Sequence, residues 1–280
     1  MPICLTVDGD FDVSDLEKEY DLIVLRVSEL PSKEMCELML GNYRAKLAAL
    51  WEGPFEFYVW LDSDAIVWGD FTPQVRTDVD FQIFWSEISI PEGATEIPPW
   101  LPHFYFDPQK LKAFDPEFDW CGHAYFSAGA FACRRDMISF HNWTKVESWD
   151  KQVSGLFAWG EMGMVNYHVH TMAQRGEIKT AMSNLQHIWG HHGKEEFVQD
   201  CRGAGWHFPK TIKRPRIAHF CGRKPFLFDH KAYSRPFTIA RLEHNRSRRG
   251  ELGAWFALMQ EDGNRLFSKV KRRVCSVASQ

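Results

Sequence analysis

Short apolar runs separated by helical patterns occupy the first sixty residues, and this alternation restricts the fold more than any other feature. Ile3-Cys4-Leu5-Thr6-Val7 reads as a strand, followed by a short amphipathic helix through Tyr20 with Ser14 as its cap. Residues 22–27 read as a second strand. Pro31 stands at the start of a helix over 32–50, and residues 55–61 form a third strand. Strands that alternate with helices predict an α/β class with a mixed, mostly parallel sheet flanked by helices. Further strands are expected at 79–85, 124–133, 178–182 and 216–220, and helices at 135–158 and 161–175. From about 230 the chain reads as helical or loose and basic. A stretch with six prolines, 91–116, interrupts the series and predicts a lid or binding loop.

Composition narrows the class. The 280 residues are 45% hydrophobic and 25% charged, the balance of a globular protein, and no run of about 18 apolar residues is present. Charge appears within the first ten residues, which does not fit a secretory signal. Seven Cys without a C-x-x-C pattern read as free thiols, so a cytoplasmic setting is expected. Aromatic residues make up 15%, a signal best met by core packing. Net charge is uneven. Residues 1–209 carry 16 Lys and Arg against 32 Asp and Glu, whereas residues 210–280 carry 17 against 5. A basic segment on an acidic body predicts an anionic partner, either phosphate or a membrane surface; no nucleic-acid-binding motif accompanies it.

Asp-x-Asp occurs at 8/10, 10/12, 62/64 and 78/80, so the triplet alone says little. Asp62-Ser63-Asp64 differs in lying between Tyr58-Val59-Trp60-Leu61 and Ala65-Ile66-Val67-Trp68. In extended chain, residues i and i+2 share a face about 6.6 Å apart, so two carboxylates there converge on one hard divalent cation. The bland alternative is a turn or cap at a strand end. Asp8 to Glu19 imitates an EF-hand loop but has Val13 where the loop needs Gly. His187, His191, His192, Glu195 and Glu196 suggest zinc, yet Gly190 and Gly193 break the helix that zinc would need.

The segment Phe57-Tyr58-Val59-Trp60-Leu61-Asp62-Ser63-Asp64-Ala65-Ile66-Val67-Trp68-Gly69-Asp70-Phe71 is similar to the metal signature of GT-A glycosyltransferases. It resembles most the retaining glycosyltransferase family 8, which includes lipopolysaccharide galactosyltransferases and glycogenin. Three more segments resemble that family in its order. Asn42-Tyr43-Arg44-Ala45-Lys46-Leu47 resembles the helix whose Arg contacts the donor. Tyr125-Phe126-Ser127-Ala128-Gly129-Ala130-Phe131 resembles the strand touching the donor sugar. Ile217 to Phe226 resembles the segment whose His is the third metal ligand and whose Gly and Lys hold the diphosphate.

The resemblance implies a GT-A (Rossmann-like) fold and a sugar transfer from a nucleotide-sugar donor, with UDP as the nucleotide, to a glycan or lipid-linked acceptor. It implies Mn²⁺ or Mg²⁺ on Asp62, Asp64 and His219. It implies donor contacts from Arg44, Lys46, Ser63, Ser127, Ala128, Gly129, Gly222 and Lys224, with Arg223 beside them. Glu161 is left as the catalytic carboxylate, and retention of configuration is carried by the resemblance alone. The match departs in four places. Gly222 and Lys224 are one residue closer than in the family, Phe226 replaces Trp, Ser127 replaces Asn, and Gly163 stands where a second carboxylate is usual.

Counted against the family, the head of the chain is one βα unit short. The expected division is therefore a catalytic domain over 1–235, incomplete at its N-terminus, and a basic extension over 236–280. The basic residues at 246–249 and 269–273 fit either a solvated end or peripheral membrane contact. Trp100, Phe104, Tyr105 and Phe106 would either stack on an acceptor sugar or anchor their loop. Two other readings compete: a sugar nucleotidyltransferase, and a degenerate relative that binds glycan without catalysis.

Overall fold

Apolar runs punctuated by polar, capped segments fold here as a mixed α/β structure. The computed structural model describes residues 2–41, 43–84, 88–188, 195–222, 224–227, 229 and 234–278. The chain begins β1 (Ile3–Val7), α1 (Ser14–Glu19), β2 (Leu22–Arg26), α2 (Lys33–Met39), α3 (Ala49–Glu52), β3 (Phe57–Leu61) and β4 (Ala65–Trp68). It continues through β5 (Phe81–Ile83), β6 (Ile88–Ser89), α4 (Trp100–Phe104), α5 (Pro108–Leu111), β7 (Ala124–Tyr125) and β8 (Ala130–Arg134). It ends with α6 (Phe140–Gln152), α7 (Glu161–Gln174), β9 (Thr180–Met182), β10 (Gln186–Ile188), α8 (Glu195–Gly203), β11 (Arg216–His219) and α9 (Arg235–Ala278). Among the described residues no helix is long and apolar enough to cross a membrane.

The chain groups into two compact units. The first comprises Met1–Asp62 and Gln74–Asn184, the second Ser63–Pro73 and Leu185–Gln280. In the first, β8 is the pivot. It runs antiparallel to β3 on one side, with Ala130 opposite Leu61, and to β5 on the other, with Phe131 opposite Ile83. β9 adds to β5 in parallel. The first four residues of β8 are all buried, as a central strand covered on both faces requires. Phe131 stacks on Trp60 (centroids 5.6 Å apart) and on Phe81 (5.1 Å), so the aromatic excess is largely core.

Three expectations change here. Four of the seven described strand pairings are antiparallel: β8 runs back between β3 and β5, β11 runs against β4, and β6 against β7. The single helix expected over 32–50 is instead α2, a 3₁₀ turn at Ala45–Ala48, and α3. Ser32 caps α2 by accepting the Met35 N–H (3.2 Å), and the chain turns out into extended backbone at Leu40. At α1 the capping acceptor is Asp12, which takes the Ser14 N–H at 3.0 Å, rather than Ser14 itself. Trp85, at the end of the strand expected over 79–85, lies outside the described residues.

The Pro-rich stretch is anchored from within. Tyr105 and Phe106 are core residues, and Trp100 packs edge-on against Tyr125 (5.6 Å). That decides between anchor and sugar platform for three of the four aromatics; of the four, Phe104 alone is exposed.

The second unit is built on β11, parallel to β10 and antiparallel to β4, with Ala65 opposite His219 and Trp68 opposite Arg216. Trp68, Phe197, Phe220 and Ile239 form its core. α9 breaks at Gly250 (φ 69°, ψ 179°), and Leu242 before the break packs with Ala254 and Leu258 after it. Arg246 is not part of a solvated end. Its side chain is 10% exposed and bonds Glu251 (2.6 Å), Glu243 (2.9 Å) and the Trp206 carbonyl (2.8 Å). Arg248 and Arg249 are exposed, and the side chains of Lys269 to Arg273 lie outside the described residues.

α7 buries both of its histidines. Burial pushes His168 down from 6.5 to about 3, and His170 well below its usual range. His168 stacks on Trp143 (5.5 Å), and no described group accepts from its Nε2. A depressed folded-state pKa gives stability that is full above pH 6.5 and is lost as pH falls toward 3. Urea midpoints should therefore drop between pH 7.5 and 5, and His168→Phe should flatten that drop. A midpoint independent of pH over this range would contradict the burial of charge-averse histidines in α7.

Candidate metal centre

β3 delivers Asp62 by ladder extension. The Asp62 N–H donates to the Gly129 carbonyl at 2.9 Å, one step beyond the Leu61–Ala130 pair. Its carboxylate meets Lys46, whose Nζ lies 2.7 Å from Asp62 Oδ1, 2.9 Å from Glu161 Oε1 and 3.1 Å from the Ala128 carbonyl. Burial alone would lower the Lys46 pKa, but the charges of Asp62 and Glu161 outweigh it and raise the value. Glu161 opens α7 with its side chain 9% exposed, where the helix N-terminus favours a carboxylate. Its Oε2 is buried with no hydrogen-bond partner among the described residues.

β4 and β11 deliver Asp64 and His219 together. The Phe220 N–H donates to the Asp64 carbonyl at 3.0 Å, next to the Ala65–His219 pair, so register fixes the two side chains side by side. His219 Nε2 lies 3.2 Å from Asp64 Oδ1. Lys224 bonds the other oxygen of Asp64 and also the Phe220 carbonyl (2.7 Å). Burial would raise the Asp64 pKa, but the approach of His219 and Lys224 prevails and holds it at about 2. On its far side, His219 Nδ1 lies 2.9 Å from Gln186 Nε2.

Asp62 and Asp64 are separated by Ser63 alone, so chain connectivity keeps the two carboxylates adjacent. Within the second unit, Asp64 and His219 each offer a ligand atom to one metal ion. Carboxylate oxygens and an imidazole form a hard-to-borderline donor set for a divalent cation.

The other expected residues divide. Ser127 Oγ accepts the Gly129 N–H (3.3 Å) and so shapes the loop between β7 and β8, while the Ala128 carbonyl holds Lys46. Gly222 adopts φ +82°, backbone that favours glycine, and has open space around its Cα. Ser63 is exposed. Arg44, by contrast, is committed to α6, where it pairs with Glu147 and reaches Asp150 at 4.0 Å. Asn42, Arg223, His191 and His192 lie outside the described residues, as do the side chains of Glu195 and Glu196.

Gly163 has a steric cause. A Cβ there would strike the Tyr105 carbonyl and approach that of Ala158, so α7 sits against the anchored loop with no room for any side chain, a carboxylate included. Asn166, one turn later, clamps Phe126 by accepting its N–H (3.0 Å) and donating to its carbonyl (2.8 Å). Gln186 was not singled out by the sequence reading. The available signal was slight: two polar residues, Gln186 and His187, between Leu185 and Ile188.

No protein-family model matches the chain, and no curated protein matches it. Two solved structures are similar to it. One is the galactosyltransferase LgtC in complex with donor and acceptor sugar analogs, 13% identical, with 86% of this chain and 95% of that one covered and a TM-score of 0.44. The other is an active-site variant of LgtC, 12% identical, with the same coverage and TM-score. At this level of likeness, side-chain chemistry carries the functional reading.

Proposed function

We propose that the protein is a metal-dependent glycosyltransferase that moves a sugar from a UDP-sugar to a glycan or lipid-linked acceptor. The observation that carries the reading is the acidic set itself: Asp62, Asp64 and His219 sit at strand ends with a lysine on each carboxylate. That combination of converging ligands and mobile cations matches a diphosphate chelated by a divalent ion. Mn²⁺ or Mg²⁺ held by these three residues would bridge the phosphates and offset the charge of the departing UDP. Lys224 supplies a point charge for a phosphate oxygen, and the Gly222 backbone leaves room for N–H groups to approach it.

Lys46 takes the donor-side role that the sequence resemblance puts on Arg44, since it reaches Asp62 and Glu161 while Arg44 is bound to Glu147. Glu161 serves the sugar end: its Oε2 is the oxygen available to accept a hydroxyl of donor or acceptor. Retention of configuration follows the resemblance, and the setting would be cytoplasmic. With Mn²⁺, purified protein should release UDP from at least one UDP-hexose. Asp62→Asn or Asp64→Asn should reduce that rate by about a hundredfold or more, several kcal/mol of charge stabilisation. A folded protein that releases UDP from none of them would defeat the reading and favour a non-catalytic binder.

A peripheral membrane contact would fit a lipid-linked acceptor. After the break in α9, Leu252, Phe256, Met259, Leu266 and Phe267 are exposed at helical spacing, and the sequence turns basic only beyond them, at Lys269 to Arg273. Vesicles containing phosphatidylserine should sediment the wild type but not Phe256→Glu; equal sedimentation of both would remove the membrane from the account.

A further inference from the structure

We propose that Gln186 is a positioning residue that switches the tautomer of His219 by rotating its own amide when a metal binds. The inference rests on the metal reading of Asp64 and His219. Gln186 lies in β10, on the strand parallel to β11, with its side chain in the second unit's interior at 2% residue exposure. Its Nε2 lies 2.9 Å from His219 Nδ1, and its Oε1 is buried with no partner among the described residues.

An amide nitrogen carries only hydrogens for bonding, so it donates, and Nδ1 must accept. In an uncharged imidazole whose Nδ1 accepts, the ring proton is on Nε2, which here faces Asp64 Oδ1 at 3.2 Å. Nε2 is also the nitrogen aimed at the carboxylates, so a metal would need it as a bare lone pair. The proton must then move to Nδ1, and Nδ1–H requires an acceptor. Rotation of the amide by half a turn brings Oε1 to that place. An amide can serve both tautomers from one position. Gln186 thereby orients the ring without touching the metal.

Three proteins test this: wild type, Gln186→Met and Gln186→Glu. Met matches the volume but can neither donate nor accept at Nδ1, whereas Glu accepts from Nδ1–H without rotating. Calorimetric titration with Mn²⁺ should show Gln186→Met weakened by about 10–100-fold and Gln186→Glu equal to the wild type or tighter. Thermal unfolding of the metal-free proteins monitors the fold independently. Nitrogen-15 spectra, with the His219 signals identified by their loss in His219→Ala, should report Nε2–H without metal and Nδ1–H with diamagnetic Zn²⁺. Wild-type affinity in a folded Gln186→Met protein, or Nδ1–H already present without metal, would overturn the proposal while leaving the metal site standing. A wild type that binds no Mn²⁺ would overturn both.

Discussion

Ionised carboxylates at the edge of an apolar core need compensation, and the site is organised around that need. Burial of an unpaired charge is too costly to persist, so each half of the Asp62-Ser63-Asp64 segment carries its own lysine. Lys46 serves Asp62 and Glu161 within the first unit, and Lys224 serves Asp64 within the second. The strands do the placing. The Asp62 N–H continues the β3–β8 ladder and the Asp64 carbonyl continues the β4–β11 ladder, so backbone bonds set where each carboxylate starts. Side-chain charges then decide where it points.

The same arrangement explains why ammonium groups are useful here. A lysine on a carboxylate holds it ionised and in place, and its flexible stem allows it to change partner when a more highly charged anion arrives. Arginine in a bidentate pair is less easily moved. Arg44 pairs with Glu147 and lies 4.0 Å from Asp150, and so stabilises the approach of α6.

Much of this was legible in the sequence, for identifiable reasons. Asp62-Ser63-Asp64 was separable from three other triplets because apolar strands flank it, whereas His219 entered only through the family resemblance of Ile217 to Phe226. The α/β class followed from alternation. What failed was what local pattern does not encode. Register within a mixed sheet depends on which strand inserts between which, so the antiparallel insertion of β8 was invisible. That Arg44 meets Glu147 while Lys46 meets Asp62 and Glu161 follows from the turn after Leu40, which local pattern does not encode. Gly163 read as a lost carboxylate; its cause is the Tyr105 carbonyl against α7, a contact between segments far apart in sequence. Gln186 has no motif at all, and only the pairing of β10 with β11 reveals its partner.

The central claim is that these carboxylates and lysines together recognise a chelated diphosphate. Metal and nucleotide should therefore bind as one unit, each drawing in the partner that releases the lysines. Isothermal calorimetry of Mn²⁺ in the absence and presence of UDP measures this directly. The account predicts markedly tighter Mn²⁺ binding when UDP is present, and loss of that coupling in Asp64→Ala. Equal Mn²⁺ affinity with and without UDP, or coupling that survives Asp64→Ala, would contradict it.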